Sequence, residues 1–184
     1  MFGLLILAAS VQAAEEYTYW IEPCGADKAR AAGCESGDVE LAQWAFNAWQ
    51  RESNGAVTFR KSDSEQHTRL RLYWAGGAMN LYGETRPVMV DGKEGAMIYV
   101  LPVDRPEKLM RDGVVYLTCV HEIGHALGLH HTDAFADIMY TFSLGGDIQE
   151  YFGRYRRLLK TRADIAAHSG LSDADRAVIR GMKR

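Results

Sequence analysis

The pattern of apolar and polar positions divides the chain into a strand-rich first half and a helix-rich second half. Tyr17–Ile21 alternates aromatic and β-branched residues and predicts a first strand. Over Asp38–Ser53, Leu41, Trp44, Ala45, Ala48 and Trp49 recur at helical spacing, with Ser36 or Asp38 as N-cap and Asn54-Gly55 as the stop. Strands follow at Ala56–Arg60 and Arg69–Trp74, the second alternating charge and bulk as a half-solvated strand does. Gly76-Gly77 and the stretch Tyr82–Pro87 read as an irregular connection, and Gly95–Val103 as the most apolar strand, with Pro102 marking an edge or an end. A helix from about Gly113 to Leu127, capped by Asp112, is apolar nearly all round and therefore buried. Strands first and a buried helix across them later predict an α+β domain of two layers.

The last third of the chain is helical again. Asp147–His168 carries a stripe of Tyr151, Phe152, Tyr155, Leu158 and Leu159, with Arg154, Arg156, Arg157, Lys160 and Arg162 on the remaining surface. Such a basic helix is read as a solvated face over a packed one. A final helix starts at Ser172, with Asp173 and Asp175 placed where negative charge suits the helix dipole.

Composition changes this picture little: 184 residues, 47% apolar and 24% charged, describe an ordinary soluble globule of one domain. A formal net charge of −3 gives no sign of nucleic-acid binding. The N-terminus adds more. Phe2–Ala9 is a short apolar run followed by small residues up to Ala13, the arrangement of a signal peptide over residues 1–13 with the mature domain at 14–184. The run is too short to span a bilayer, so the expectation is a secreted or periplasmic protein without stable membrane insertion. Export permits disulfides, and Cys24 and Cys34 in a Gly/Ala-rich stretch are the natural pair. Cys119, inside the apolar helix, reads as a small buried residue.

The chemistry is concentrated in His-Glu-Ile-Gly-His-Ala-Leu-Gly-Leu-His-His, residues 121–131. Residues four apart share a helix face, so His121 and His125 can present two imidazoles to one cation. A third protein ligand plus one open position makes such a zinc site catalytic rather than structural. Glu122 lies about a hundred degrees round the helix. It is badly placed to bind the same ion, but it can reach a water there. Gly128 allows a positive φ and hence a sharp end to the helix, which brings back either His130 or His131.

The segment resembles the zinc signature of the metzincins, most closely that of the matrixins. That resemblance implies His131 as the third ligand, with His121, His125 and His131 around one Zn²⁺ and Glu122 as general base on its water. Met139 in Asp-Ile-Met-Tyr is similar to the family's Met-turn. Residues 91–97 look like the glycine turn into the substrate-binding edge strand, and residues 171–175 like the start of the C-terminal helix. The implied fold is a two-layer metzincin-like domain: a twisted, mostly parallel sheet, an edge strand lining the cleft, the active-site helix, the Met-turn and C-terminal helices. The implied activity is secreted zinc endopeptidase, a peptide adding as a strand along Met97–Val100 and residues 135–142 lining the side-chain pocket, with Tyr140 there either a hydrogen-bond partner for an intermediate or, more in keeping with its surroundings, a packing aromatic.

The departures from the family pattern also carry expectations. Tyr99 stands where a histidine for a second, structural zinc is usual, so one zinc is expected. Asp91 offers at most a weak calcium position with backbone carbonyls. Glu22-Pro23-Cys24-Gly25 faintly resembles the family's propeptide switch but follows the first strand, which leaves the disulfide as the reading for Cys24. The stretch between Met139 and the last helix is longer than the family pattern, so 147–168 reads as a helical insertion. Two alternatives compete: a zinc peptidase with Glu150 as third ligand, and a non-catalytic metal-binding or interaction protein on the same fold.

Overall fold

The computed structural model describes residues 15–77 and 82–182. The candidate signal segment, 1–13, lies outside these residues. In chain order the elements are β1 (Glu15–Ile21), α1 (Ala26–Ala32), α2 (Asp38–Glu52), β2 (Val57–Lys61), β3 (Leu70–Trp74), β4 (Gly83–Val90), β5 (Lys93–Val100), α3 (Lys108–Ala126), α4 (Ile148–Arg156), α5 (Asp164–Ala167) and α6 (Asp173–Gly181). The strands form one sheet in the order β2-β1-β3-β5-β4, parallel throughout except for β4, which runs antiparallel to β5. This is an α+β architecture with a mostly parallel sheet, compatible with a metzincin-like fold.

The core forms where α2 and α3 pack on each other and α3 crosses β5 and β4. Leu41, Phe46 and Trp49 of α2 are buried against Leu70, Leu72, Ile98 and Val100 of the sheet and Val115 and Ile123 of α3. Trp49 also donates its indole N–H to the carbonyl of Val120 at 2.8 Å, so its bulk is buried without an orphaned donor. Phe46 stacks on Tyr19 with ring centroids 4.1 Å apart and takes the core place expected of Trp44, which stays half-buried beneath the guanidinium of Arg162. Cys24 and Cys34 are disulfide-bonded across α1, a helix the Gly/Ala-rich composition had hidden. Cys119 is a free, buried thiol.

Four sequence expectations need correction. The stretch from Tyr82 onward is not irregular: β4 pairs with β5 along its full length, from Gly83 opposite Val100 to Val90 opposite Lys93. As a result Met97–Val100 is not an edge, because β5 lies between β3 and β4. Among the described residues β4 is the edge of the sheet on this side, and β2 the edge on the other. The Leu101 N–H bonds the Tyr82 carbonyl, so the even-numbered residues of β4 turn their backbone groups toward β5 and Gly83, Thr85 and Pro87 turn theirs outward. Pro87 therefore sits where no donor is required, the position in which an edge strand tolerates proline.

Asp112 does not cap the long helix. α3 begins a turn earlier, at Lys108, and Asp112 is an interior residue whose carboxylate pairs with Lys108 and with Arg162. The helix expected over 147–168 ends at Arg156, because the Asp164 carboxylate accepts the N–H groups of Lys160 and Thr161 and so competes for the turn that would have extended it. Tyr151, Phe152, Tyr155 and Leu159 are buried as the stripe requires, whereas Leu158 is exposed. The basic residues are largely spoken for. Arg156 pairs with Glu107, Arg157 with Glu150, and Arg162 with Asp112 and Glu40.

Candidate metal centre and active site

α3 ends just beyond the second candidate ligand. Gly128 adopts φ 92°, a conformation open to glycine at little cost, and the chain turns back over the helix end. The turn brings His131 to the two helical histidines. Its Nε2 lies 3.3 Å from that of His121 and 3.1 Å from that of His125. His121, His125 and His131 are the group among the described residues whose ligand atoms could hold a metal, all within 4.8 Å of one another. His130 is not a member of that group. Glu150 does not join the group, since it forms an exposed ion pair with Arg157.

The donor set fits a cation. His121 donates Nδ1–H to the Ile138 carbonyl at 2.6 Å, and His125 donates Nδ1–H to the Leu129 carbonyl at 2.9 Å. Each bond fixes the tautomer that leaves the Nε2 lone pair facing the common centre. Burial lowers the His121 pKa to about 4, an effect reinforced by its histidine neighbours and opposed by the Ile138 carbonyl; burial lowers His125 in the same direction. Both rings are thus neutral near pH 7, as metal ligation requires. With the His131 Nε2 about 3 Å from both, a bound cation would satisfy all three nitrogens at once.

Glu122 occupies the gap between α3 and β4 and is 5% exposed. Thr85 on β4 donates its hydroxyl toward Glu122 Oε2 at 2.7 Å and toward the Glu122 carbonyl at 2.9 Å. Gly83, two residues earlier, leaves the room this carboxylate uses: a Cβ there would lie 2.6 Å from Glu122 Cγ. Met139 is 1% exposed and packs against Gly124, where a Cβ would meet its sulfur at 2.5 Å. Sequence reasoning missed Gly83, Thr85 and Gly124; only Gly124, a small residue inside the signature, offered a local signal. It also missed the clamp on the Met139 segment, where Asp175 of α6 accepts the Ile138 N–H at 2.8 Å and Ser172 donates to Asp137. Asp175 doubles as the partner in the Ser172 capping box, so one carboxylate starts α6 and holds this turn.

A model of the matrixin family matches residues 107–149. The match spans α3, all three histidines and Met139, and stops in the first turn of α4. It supports a metzincin-like relationship and a zinc metallopeptidase-like function. No curated protein matches the chain.

The residues given second roles in the sequence are also placed. Tyr140 is buried, with its hydroxyl on the Gly145 carbonyl and its ring against Phe135 and Phe142, so it is a packing aromatic. Tyr99 stacks on Tyr73, and the Arg86 guanidinium lies over its ring. The Asp91 carboxylate, in the β4–β5 turn, is 2.9 Å from the ring of His67.

Burial pushes the Glu122 carboxyl up from its ordinary 4.5 to about 7; Glu84 adds to the shift and the Thr85 hydroxyl opposes it. The folded state then holds this proton more tightly than the unfolded state. The stability it contributes is complete below about pH 4.5 and is lost as pH rises through about 7. In chelator-treated protein, the urea midpoint of wild type should fall relative to that of Glu122→Gln between pH 5 and pH 8, the underlying unfolding free energy changing by at most ~1.4 kcal/mol per pH unit. Parallel midpoints across that range would show that Glu122 does not titrate there.

Proposed function

We propose that this protein is a secreted zinc-dependent endopeptidase, with His121, His125 and His131 as the metal ligands and Glu122 as the general base. The observation that carries the proposal is the convergence of three imidazole Nε2 atoms beside a nearly buried carboxylate, in a cleft of about 1320 Å³ that β4 borders. A carboxylate buried next to an open site is costly to keep, and among the described residues its partner is the Thr85 hydroxyl rather than a cation. That favours catalysis over a non-catalytic binding role. Zinc, when bound, would supply Lewis acidity and lower the pKa of a water toward ~7.

The chain's own groups do the rest. The outward backbone groups of Gly83 and Thr85 can accept a peptide as an added antiparallel strand, which lays its scissile bond along the cleft above α3. The cleft beyond the histidines is walled by Leu117, Phe142, Ile148, Tyr151 and Phe152, and an apolar side chain would be desolvated there. Glu122 takes a proton from the attacking water and delivers it to the leaving amine. The disulfide and the signal-like segment at 1–13 support export, and no described helix is long and apolar enough to cross a membrane. The domain is taken to run over 14–184, with 147–168 inserted.

The full chain, incubated with a peptide library, should cleave internal peptide bonds. Exhaustive chelation should abolish cleavage and added Zn²⁺ should restore it. Cleavage that survived removal of the metal would overturn the proposal.

A further inference from the structure

We propose that α4, which lies almost wholly beyond the segment matched to the matrixins, braces the metal centre, with Tyr151 and Arg154 as positioning residues for His121. The argument starts from four consecutive carbonyls in the segment between His131 and Met139. Arg154 Nη1 donates to Phe135 O at 2.6 Å and Nη2 to Ala136 O at 3.1 Å. The Tyr151 hydroxyl lies 3.0 Å from Asp137 O and 3.3 Å from Ile138 O. Every acceptor from 135 to 138 therefore faces a donor from one face of α4.

The last of these carbonyls connects the helix to the metal. Ile138 O is also the atom to which His121 donates Nδ1–H, the bond that turns the His121 Nε2 lone pair toward the common centre. Asp175 holds the N–H of the same residue from the opposite side. The peptide groups on both sides of Ile138 are thus held, and α4 contributes to the hold on the one that His121 uses. Arg154 adds rigidity: its guanidinium carbon lies 4.3 Å from the Tyr151 ring centroid and 5.2 Å from that of Phe135.

Simple packing would not require this arrangement. An apolar residue at 151 would fill the same space without burying a hydroxyl, and Tyr151 is 3% exposed. Donors aligned on successive carbonyls instead fix a path of backbone, and this path leads from one ligand, His131, to the carbonyl that orients another.

The inference rests on the reading of the three histidines as ligands to a divalent metal. Its test measures Zn²⁺ affinity on the full chain by competition with a chromophoric chelator, and the absorption spectrum of the Co²⁺-loaded protein. Tyr151→Phe removes one hydroxyl and keeps the ring; Arg154→Met removes the donors and the charge. Partners of metal-bound histidines typically carry ~10–100-fold in metal affinity, so each variant should bind Zn²⁺ about tenfold more weakly and alter the Co²⁺ spectrum. Arg154→Lys, which keeps the charge and a donor, should recover part of the loss. The urea midpoint of each chelated variant serves as the control for folding. Zn²⁺ affinities within about twofold of wild type in both variants would overturn the brace while leaving the metal site standing. So would a loss that tracks the urea midpoint with an unchanged Co²⁺ spectrum. A wild-type chain that took up no Zn²⁺ would overturn both the brace and the peptidase reading.

Discussion

Glu122→Gln is expected to reduce kcat for peptide hydrolysis by about 10²–10⁴-fold, the usual contribution of a positioned general base, while Zn²⁺ content stays at the wild-type level. The substitution keeps the shape of the side chain and an oxygen that can still accept the Thr85 hydroxyl. It removes only the capacity to take and return a proton. His121 and His125 keep their supports at Ile138 and Leu129, so metal binding has no reason to change. Steady-state kinetics on a fluorogenic peptide, paired with metal analysis of the same preparation, separates the effects. Undiminished turnover in the variant would end the assignment of Glu122. Loss of zinc along with turnover would mean that the carboxylate supports the site rather than the proton transfer.

Arg111→Ala should be among the most damaging changes to stability, costing about 3–5 kcal/mol. Arg111 is 4% exposed and grips the Asp38 carboxylate through both Nη atoms, at 2.5 and 2.8 Å, while its Nε reaches Glu35. Asp38 itself is fully buried at the start of α2. Deleting the guanidinium would leave that carboxylate with the Glu35 N–H but without a cation against it. Asp112, by contrast, would retain Lys108 and Arg162. The cost therefore belongs to one orphaned charge, and the double variant Asp38→Asn with Arg111→Met should recover most of it. Urea unfolding of both proteins decides the matter: a single variant within ~1 kcal/mol of wild type would show that water reaches Asp38 and that the pair is not a buried one.

The parts of this molecule legible in the sequence are those whose physics is local. Two histidines four apart, a glutamate beside one and a glycine after the helix specify directions on a single element, and the structure brings those side chains together. The disulfide is legible for the same reason, two cysteines ten residues apart on one short loop. What sequence reading misses depends on partners far along the chain. Thr85 looks like any strand threonine until β4 is laid over α3, and Asp112 imitates a cap because the residue after it is a glycine. β4 itself is hidden by Gly83 and Pro87, which weaken its strand signal yet suit a free edge next to a buried carboxylate. The basic run after Glu150 suggests a long solvated helix, but Asp164 stops it and acidic partners on α2, α3 and α4 absorb its charge.

The free edge of β4 has a further consequence. An edge that can accept a peptide can also accept the same edge of a second copy, and continuous pairing of that kind is how sheet proteins begin to aggregate. Pro87 interrupts the outward row of donors within two residues of Thr85, and Glu84 and Arg86 put charge beside it. A short bound strand would span the intact part of the ladder, whereas a growing sheet would have to cross the gap. The residue that obscures this strand in the sequence thus separates the docking of one short strand from self-association, and its removal would erode solubility while leaving Gly83 and Thr85 in place.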